Sequence, residues 1–472
     1  MPPRRRRRTG LGSRSLCLRD RGFDILRDRS IERRIGLWLF IVTAGVFLLS
    51  PIWGLSDARY TMLLSDSILL DHSTHLNRYQ FPAPIQESSR CVSPTGPVAL
   101  SYAPYQLDRI DGNVAFCYPN GSSILSIPFV GAMNLLGVYP YDPDGHYNLA
   151  NEELIQRLLA ALLMAGFTIV VFRTALLVLS ITPAVLIAVG TAFGSQVWST
   201  ASRVMWAHTW LIFLGGLLTY ELLRRERNAD SPRPMIVATL LAWMYFVRPT
   251  GAIPIICVTV YTFLFCRSGF MYYALTGLAW FTGFVIYSWF TYEKLIPDYY
   301  LDSRISINSI ATALPAILIS PSRGLFIFVP ALIFVFYLLI RYWTTIPYAR
   351  LAILSLSIVT IQTVLVALWP VWWGGYSYGP RLLADAIPWL ALLAILGCAA
   401  RLRSANNAKF SRAEIATALS LLALSIAING RGAISVATAT WNVEVDIDRH
   451  PERVWNWSNP QFMAGVLWKR KN

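Results

Sequence analysis

Apolar runs of roughly twenty residues, the length needed to cross a bilayer, alternate with short polar breaks along most of the chain. They cover about 35–55, 153–172, 176–197, 205–223, a pair within 234–266 and 270–291. Three more close at Arg341, at Trp372 and just before Arg401, and a last one covers about 413–429. The pattern predicts an all-α polytopic membrane protein of about eleven transmembrane helices. The long polar interval is 56–151, between the first two spans. Within it, Tyr60, Leu63, Leu64 and Ile68 recur at helical spacing, while Arg59, Ser65, Asp66 and Ser67 fall elsewhere. That predicts an amphipathic helix lying on the membrane surface. A second such helix follows the turn signal Tyr118-Pro119-Asn120-Gly121 and runs to about Leu136, too short to span and carrying Pro128.

Composition agrees: 472 residues, 55% hydrophobic and 14% charged, with a mean hydropathy of +0.47. The formal charge of +15 changes the picture only through its distribution. Twelve of the 41 Lys and Arg residues precede the first span, and others sit in alternate short loops, as at Arg224, Arg225, Arg227 and Arg233. This positive-inside bias predicts a basic cytoplasmic tail over 1–34, an outside loop over 56–151 and an outside tail over 431–472, in a bacterial inner membrane with lipids as surroundings. Nucleic acid is excluded as a partner, since no basic face interleaves with aromatics in a soluble domain. Cys91 and Cys117 share the outside loop, where either a disulfide or free thiols fit.

Candidate chemistry concentrates at the outside ends of the spans. Asp57 heads the first surface helix, where it fits either an N-cap or a general base at the lip of a cavity. Arg157 near the end of span two fits snorkelling or pairing with Asp57. His208 lies between Trp206 and Trp210 at the end of span four, as an interfacial residue or a ligand. Arg248 precedes Pro249 where two apolar runs meet. The stretches Ser320–Leu325 and Trp369–Arg381 each bring an arginine to the start of a span, Arg323 and Arg381, the second with Tyr378 among glycines. Arginine forks onto phosphate oxygens and glycine lets backbone approach a ligand. Lys294 is a further candidate cation. Asp385, four residues after Arg381, predicts an i,i+4 pair with it.

Together, Asp57–Leu70, Tyr118–Phe129, Glu153–Arg157, Trp206–His208, Arg248-Pro249, Ser320–Leu325 and Trp373–Arg381 resemble the GT-C superfamily of integral-membrane glycosyltransferases, over residues 35–400. This group includes protein O-mannosyltransferases and lipid A aminoarabinose transferases. The resemblance implies transfer of a sugar from a polyprenyl-phosphate donor to a lipid, glycan or protein acceptor outside the cytoplasm. Asp57 would be the catalytic base, with arginines on the lipid phosphate. Many members carry a second acidic residue where this chain has Ala58, so a divalent metal is left open. The alternative is a lipid or solute transporter binding anionic cargo, which would need polarity through the midplane. Charges gathered at the outside ends favour the enzyme over it.

Overall fold

The computed structural model describes residues 29–54, 57–87, 104–228, 233–301, 305–404 and 409–466. Most of the basic tail and Cys91 lie outside them. The described chain is mainly helical. Helix α1 (Arg29–Leu49) is followed by α2 (Thr61–Leu70) and α3 (Gly121–Leu135), then by α4 (Leu149–Leu176), α5 (Ile181–Phe193) and α6 (Ala207–Asn228). Helices α7 (Pro234–Val247) and α8 (Ala252–Phe265) are separated by one 3-10 turn at Pro249–Gly251, and α9 (Arg267–Tyr292) returns beside them. After α10 (Asp298–Leu301) come α11 (Ile310–Ile319), α12 (Leu325–Phe328), α13 (Ala331–Arg341) and α14 (Ala349–Ala367). Helices α15 (Ile387–Arg403), α16 (Arg412–Ile434) and α17 (Val436–Glu444) complete the order.

Among the described residues five segments are long and apolar enough to cross a membrane: Leu149–Leu176, Arg267–Tyr292, Ala349–Ala367, Arg381–Arg403 and Arg412–Ile434. The expected third, fifth, sixth and eighth spans are shorter apolar helices, α5, α7, α8 and α13, and the expected first and fourth, α1 and α6, are not among the five. Helix α15 is the hub. Both of its flanks are buried from Ile387 to Ala400, save for Ala394 and Cys398, which are half-buried, whereas α9 presents Met271, Leu275, Leu278 and Phe290 outward. A helix apolar on all sides is satisfied at the centre of a bundle, and one with an exposed apolar face by lipid.

Both short helices expected in the first polar interval are present, packed on each other, but α2 is buried on all sides from Thr61 to Ser67, its expected polar face of Ser65, Asp66 and Ser67 included, and the interval is not wholly helical. A small sheet stands beside α2, with β1 (Gln86–Glu87) parallel to β2 (Leu107–Ile110) and β2 antiparallel to β3 (Asn113–Phe116). Tyr60, Leu63, Leu76, Leu107, Val114 and Phe116 form a core of its own. The β2–β3 turn, Asp111-Gly112, takes positive φ at both positions, the conformation an Asp-Gly hairpin favours. Cys117 is buried and disulfide-bonded. Helix α3 meets α7 backbone to backbone: a Cβ on Gly121 would lie 2.4 Å from the Phe246 carbonyl carbon.

Asp66 ties α2 to α3. Fully buried, it accepts hydrogen bonds from Asn134 Nδ2 (2.6 Å) and the Tyr79 hydroxyl (3.1 Å). Burial raises its pKa above the ordinary carboxylate value. A raised folded-state pKa favours the protonated form, so this group's stabilisation is complete below about pH 3.9, the unfolded value, and is lost as pH rises through the folded value. Asp66→Asn is therefore expected to flatten the pH dependence of thermal unfolding above pH 4 without lowering stability at neutral pH. The new amide can donate to Asn134 Oδ1, which is buried and unpartnered. Asp66→Ala strands both donors and is expected to cost about 1–3 kcal/mol.

Candidate active site at the end of helix α1

The capping role open to Asp57 is filled by another residue. Helix α2 starts at Thr61, and its free N–H groups at Met62 and Leu63 donate to the two carboxylate oxygens of Glu152, at 3.0 and 3.1 Å. Glu152 is fully buried in the first turn of α4. A carboxylate there neutralises orphan donors and meets the positive end of the helix dipole. Gln156, one turn on, donates to Glu152 and to the Ala58 carbonyl (2.8 Å each) and accepts from Met205 N–H (3.1 Å). These two side chains lock the turn 57–60 against the segment before α6. Glu152→Ala is expected to lower thermal stability by about 1–3 kcal/mol, because two buried N–H groups lose their acceptor.

Asp57 is thereby left with a side chain 37% exposed. Its Oδ1 accepts from the Tyr105 hydroxyl at 3.0 Å and its Oδ2 lies 3.5 Å from Arg381 Nη1. Burial, and then the Asp57 charge, push the Tyr105 pKa up, while Arg381 and Arg59 pull it down. The phenol stays protonated and donates. Arg381 lies over the Trp206 ring, 4.3 Å from its centroid, and its buried Nε has no acceptor. Arg59 Nε is likewise buried without a partner. One carboxylate, one phenol and the Arg381 guanidinium thus meet at the lip of the bundle, with the charge of Arg59 felt at the Tyr105 phenol.

The expected Arg381–Asp385 pair is not formed, and the reason is local. Residues Arg381–Ala386 form a 3-10 helix, in which positions three apart share a face and positions four apart do not. Asp385 instead turns inward to His208 Nδ1 (2.6 Å) and Thr250 Oγ1 (2.9 Å). Arg248 Nε is 3.2 Å from its Oδ2 with the N–H directed elsewhere. His208 is 1% exposed. It stands inside the bundle rather than at its interface, in a buried group that fixes the start of α15 against α6 and the α7–α8 break.

Four other candidate residues are engaged elsewhere. Arg323 has no donor left for phosphate. Its Nε, Nη1 and Nη2 donate to the carbonyls of Trp373, Ser322 and Gly375, to Gln461 Oε1 and to Asn442 Oδ1, which takes all five N–H groups of a guanidinium. Tyr378 is buried, with its hydroxyl on the Ile428 carbonyl (2.6 Å) and its ring against Gly432. Arg157 does not pair with Asp57. It stacks on Trp53 at 3.7 Å, and Arg203, bonded to the Phe47 and Ser50 carbonyls at the end of α1, approaches the same ring at 4.7 Å. Lys294 pairs with Asp298 four residues on. The structure brings together Asp57 and Arg381, and separately His208, Arg248 and Asp385.

Glu152, Gln156, Tyr105, Arg59 and Arg203 carry no motif that marks them. The one legible signal was a pair of acids, Glu152-Glu153, at the mouth of an apolar helix, where an inward-facing carboxylate needs a partner. The position after Asp57 is the buried Ala58, and among the described residues no group of three or more His, Cys, Asp or Glu side chains is placed to hold a metal ion. No protein-family model, curated protein or solved structure matches the chain.

A cavity of about 610 Å³ lies between α5, α13, α15 and α16. It is apolar along most of its length, with Gln196 and Glu414 among its polar lining residues. Ile387, Leu390, Ala391, Ala394, Cys398 and Leu402 face it from α15, so the groove begins two residues after Asp385 and follows the helix that the 3-10 turn Arg381–Ala386 leads into.

Proposed function

We propose that the protein is a membrane glycosyltransferase of GT-C type, moving a sugar from a polyprenyl-phosphate donor to an acceptor on the non-cytoplasmic side of a bacterial cell membrane. It works within an eleven-span bundle whose N-terminus is cytoplasmic. The observation that carries this reading is Asp57. The carboxylate is relieved of capping, partly exposed, held by a phenol, and faced by an arginine with donors unused. Such a group can accept a proton, and the arginine can take a phosphate in its place.

In the proposed reaction an acceptor hydroxyl or amine attacks the anomeric carbon of the donor sugar. The bond from that carbon to the phosphate oxygen breaks, and the acceptor's proton passes to Asp57. Arg381 and Arg59 balance the charge on the departing lipid phosphate. Without donor, Arg381 lies against Asp57; a bound phosphate would draw it off and free the carboxylate. The apolar groove along α15 offers a lipid chain a bed that leads from the same helix end.

Arg381→Lys is expected to lower transfer by about a hundredfold, the scale for losing a positioned donor to a developing anion. Lysine keeps the charge but loses the planar fork and the stacking on Trp206. The assay is transfer from a synthetic polyprenyl-phosphate sugar in reconstituted membranes, alongside mass spectrometry of envelope glycans in a deletion strain. Unchanged glycans and lipid-linked sugars on deletion, with no transfer from any donor, would overturn the proposed reaction.

A further inference from the structure

A second cavity, about 200 Å³, lies between the start of α3 and helices α7 and α9. Its walls are mostly aromatic, with Trp243, Phe246, Trp280, Phe284, Tyr299 and Tyr300 among them, and none of its described lining residues is charged. Phe246 and Phe284 stack on each other with planes 7° apart, and Trp280 meets Trp243 and Phe246 edge to face. The rings hold one another in place and leave the space unfilled.

The polar content of the wall centres on Asn120, which is 5% exposed. Its Nδ2 donates to the hydroxyls of Tyr287 (2.6 Å) and Tyr292 (2.9 Å), and its Oδ1 is buried with no partner. Turning the amide end for end would let the Tyr287 phenol donate to the carbonyl, the Tyr292 hydroxyl being already given to the Phe116 carbonyl, and would strand the NH2 group instead. Either way one end of a buried amide lining the cavity is unmet, at a cost of about 1–3 kcal/mol. Asn120 is also the residue before α3, yet its side chain makes no cap bond to that helix. The amide is held by two tyrosines of α9 in place of the role its position in sequence offers.

We infer that this cavity binds a neutral saccharide ring. A pyranose presents apolar C–H faces to flat aromatic walls and hydroxyls that donate to one group and accept from another, which matches stacked rings around an amide and two phenols. A prenyl or acyl chain would fill the space but leave the amide unmet. A quaternary ammonium would find aromatic faces but no carboxylate among the described lining residues, and it has no hydrogen to give the amide. The inference stands on this cavity alone and does not depend on the transfer reaction proposed for Asp57.

The test is saturation-transfer NMR on the full-length protein in lipid nanodiscs, titrated with methyl α-D-mannopyranoside, the corresponding glucoside and galactoside, geraniol, and tetramethylammonium. At least one glycoside is expected to bind saturably. Asn120→Leu is expected to weaken it by about tenfold or more, the loss of one hydrogen bond's worth of affinity. A second variant guards against a folding defect in the first. Gly283 lines the cavity, and a Cβ added there meets no atom within 4 Å, so Gly283→Leu removes no contact, improves helix propensity in α9 and takes up the space. It is expected to abolish binding with thermal unfolding unchanged or raised. Saturable binding of geraniol or tetramethylammonium without any glycoside, no glycoside binding at all, or wild-type glycoside affinity in Gly283→Leu would each overturn the inference.

Discussion

Asp57→Asn is expected to reduce sugar transfer by at least about a hundredfold, the lower range for removing a general base, while leaving thermal unfolding within measurement of the parent. The two halves of that result have separate causes. Activity falls because an amide cannot take the acceptor's proton. Stability holds because the α2 N-terminus is capped by Glu152, whose oxygens sit 3.0 and 3.1 Å from the Met62 and Leu63 N–H groups, and because an asparagine Oδ1 can still accept from Tyr105. What is lost in the fold is one partly exposed pairing with Arg381 at 3.5 Å, worth little at such a site. The measurement is initial transfer rate against purified donor at matched protein levels, with a thermal melt of the same preparation. Parent-like activity would remove Asp57 from catalysis.

The largest effect on stability is expected at Arg323. Replacing it by lysine keeps a charge but supplies at most three donors, in a geometry that cannot reach five acceptors spread over the Trp373–Gly375 loop, Ser322, Asn442 and Gln461. At about 1–3 kcal/mol for each buried acceptor left unmet, the loss is expected to be on the order of several kcal/mol and to release the 436–466 segment. Thermal unfolding and limited proteolysis together read it: a lowered midpoint with early cleavage between Val436 and Val466. The control is Arg157→Lys, which breaks one stacking contact on Trp53 and is expected to cost about 1 kcal/mol or less. Equal loss of stability in the two variants would show that the Arg323 bonds do not hold the tail.

Arg323 also shows why a residue's place in the sequence and its task can part. At the start of a span, in a loop with Ser320, Pro321 and Gly324, it had the look of an anion ligand, and Arg381 had the same look. The difference lies in what folds over them. The C-terminal segment lays Asn442 and Gln461 against Arg323, while Arg381 lies against Trp206 and Asp57 and keeps its Nε unpaired.

The sequence by itself determined the bundle. Apolar runs with helical length and basic clusters between them leave few ways to bury the backbone's polar groups in a bilayer. It also placed two short helices in the first long loop, singled out Asp57 and Arg381 as the residues to watch, and located the Arg248–Pro249 break. Tertiary structure alone decided the partners. Glu152 could take the cap of α2 only because α4 packs beneath it, ninety residues away in sequence. Tyr105 could reach Asp57 only through the small sheet, whose short strands show no pattern beside the long apolar runs. Asp385 left Arg381 for His208 and Thr250 because one turn was wound as 3-10 helix and not as α-helix. Periodicity records which face of an element is apolar, since that depends on the residues of the element itself. Which buried carboxylate meets which donor depends on groups far apart in the chain, and only the packing of the helices brings them within hydrogen-bonding reach.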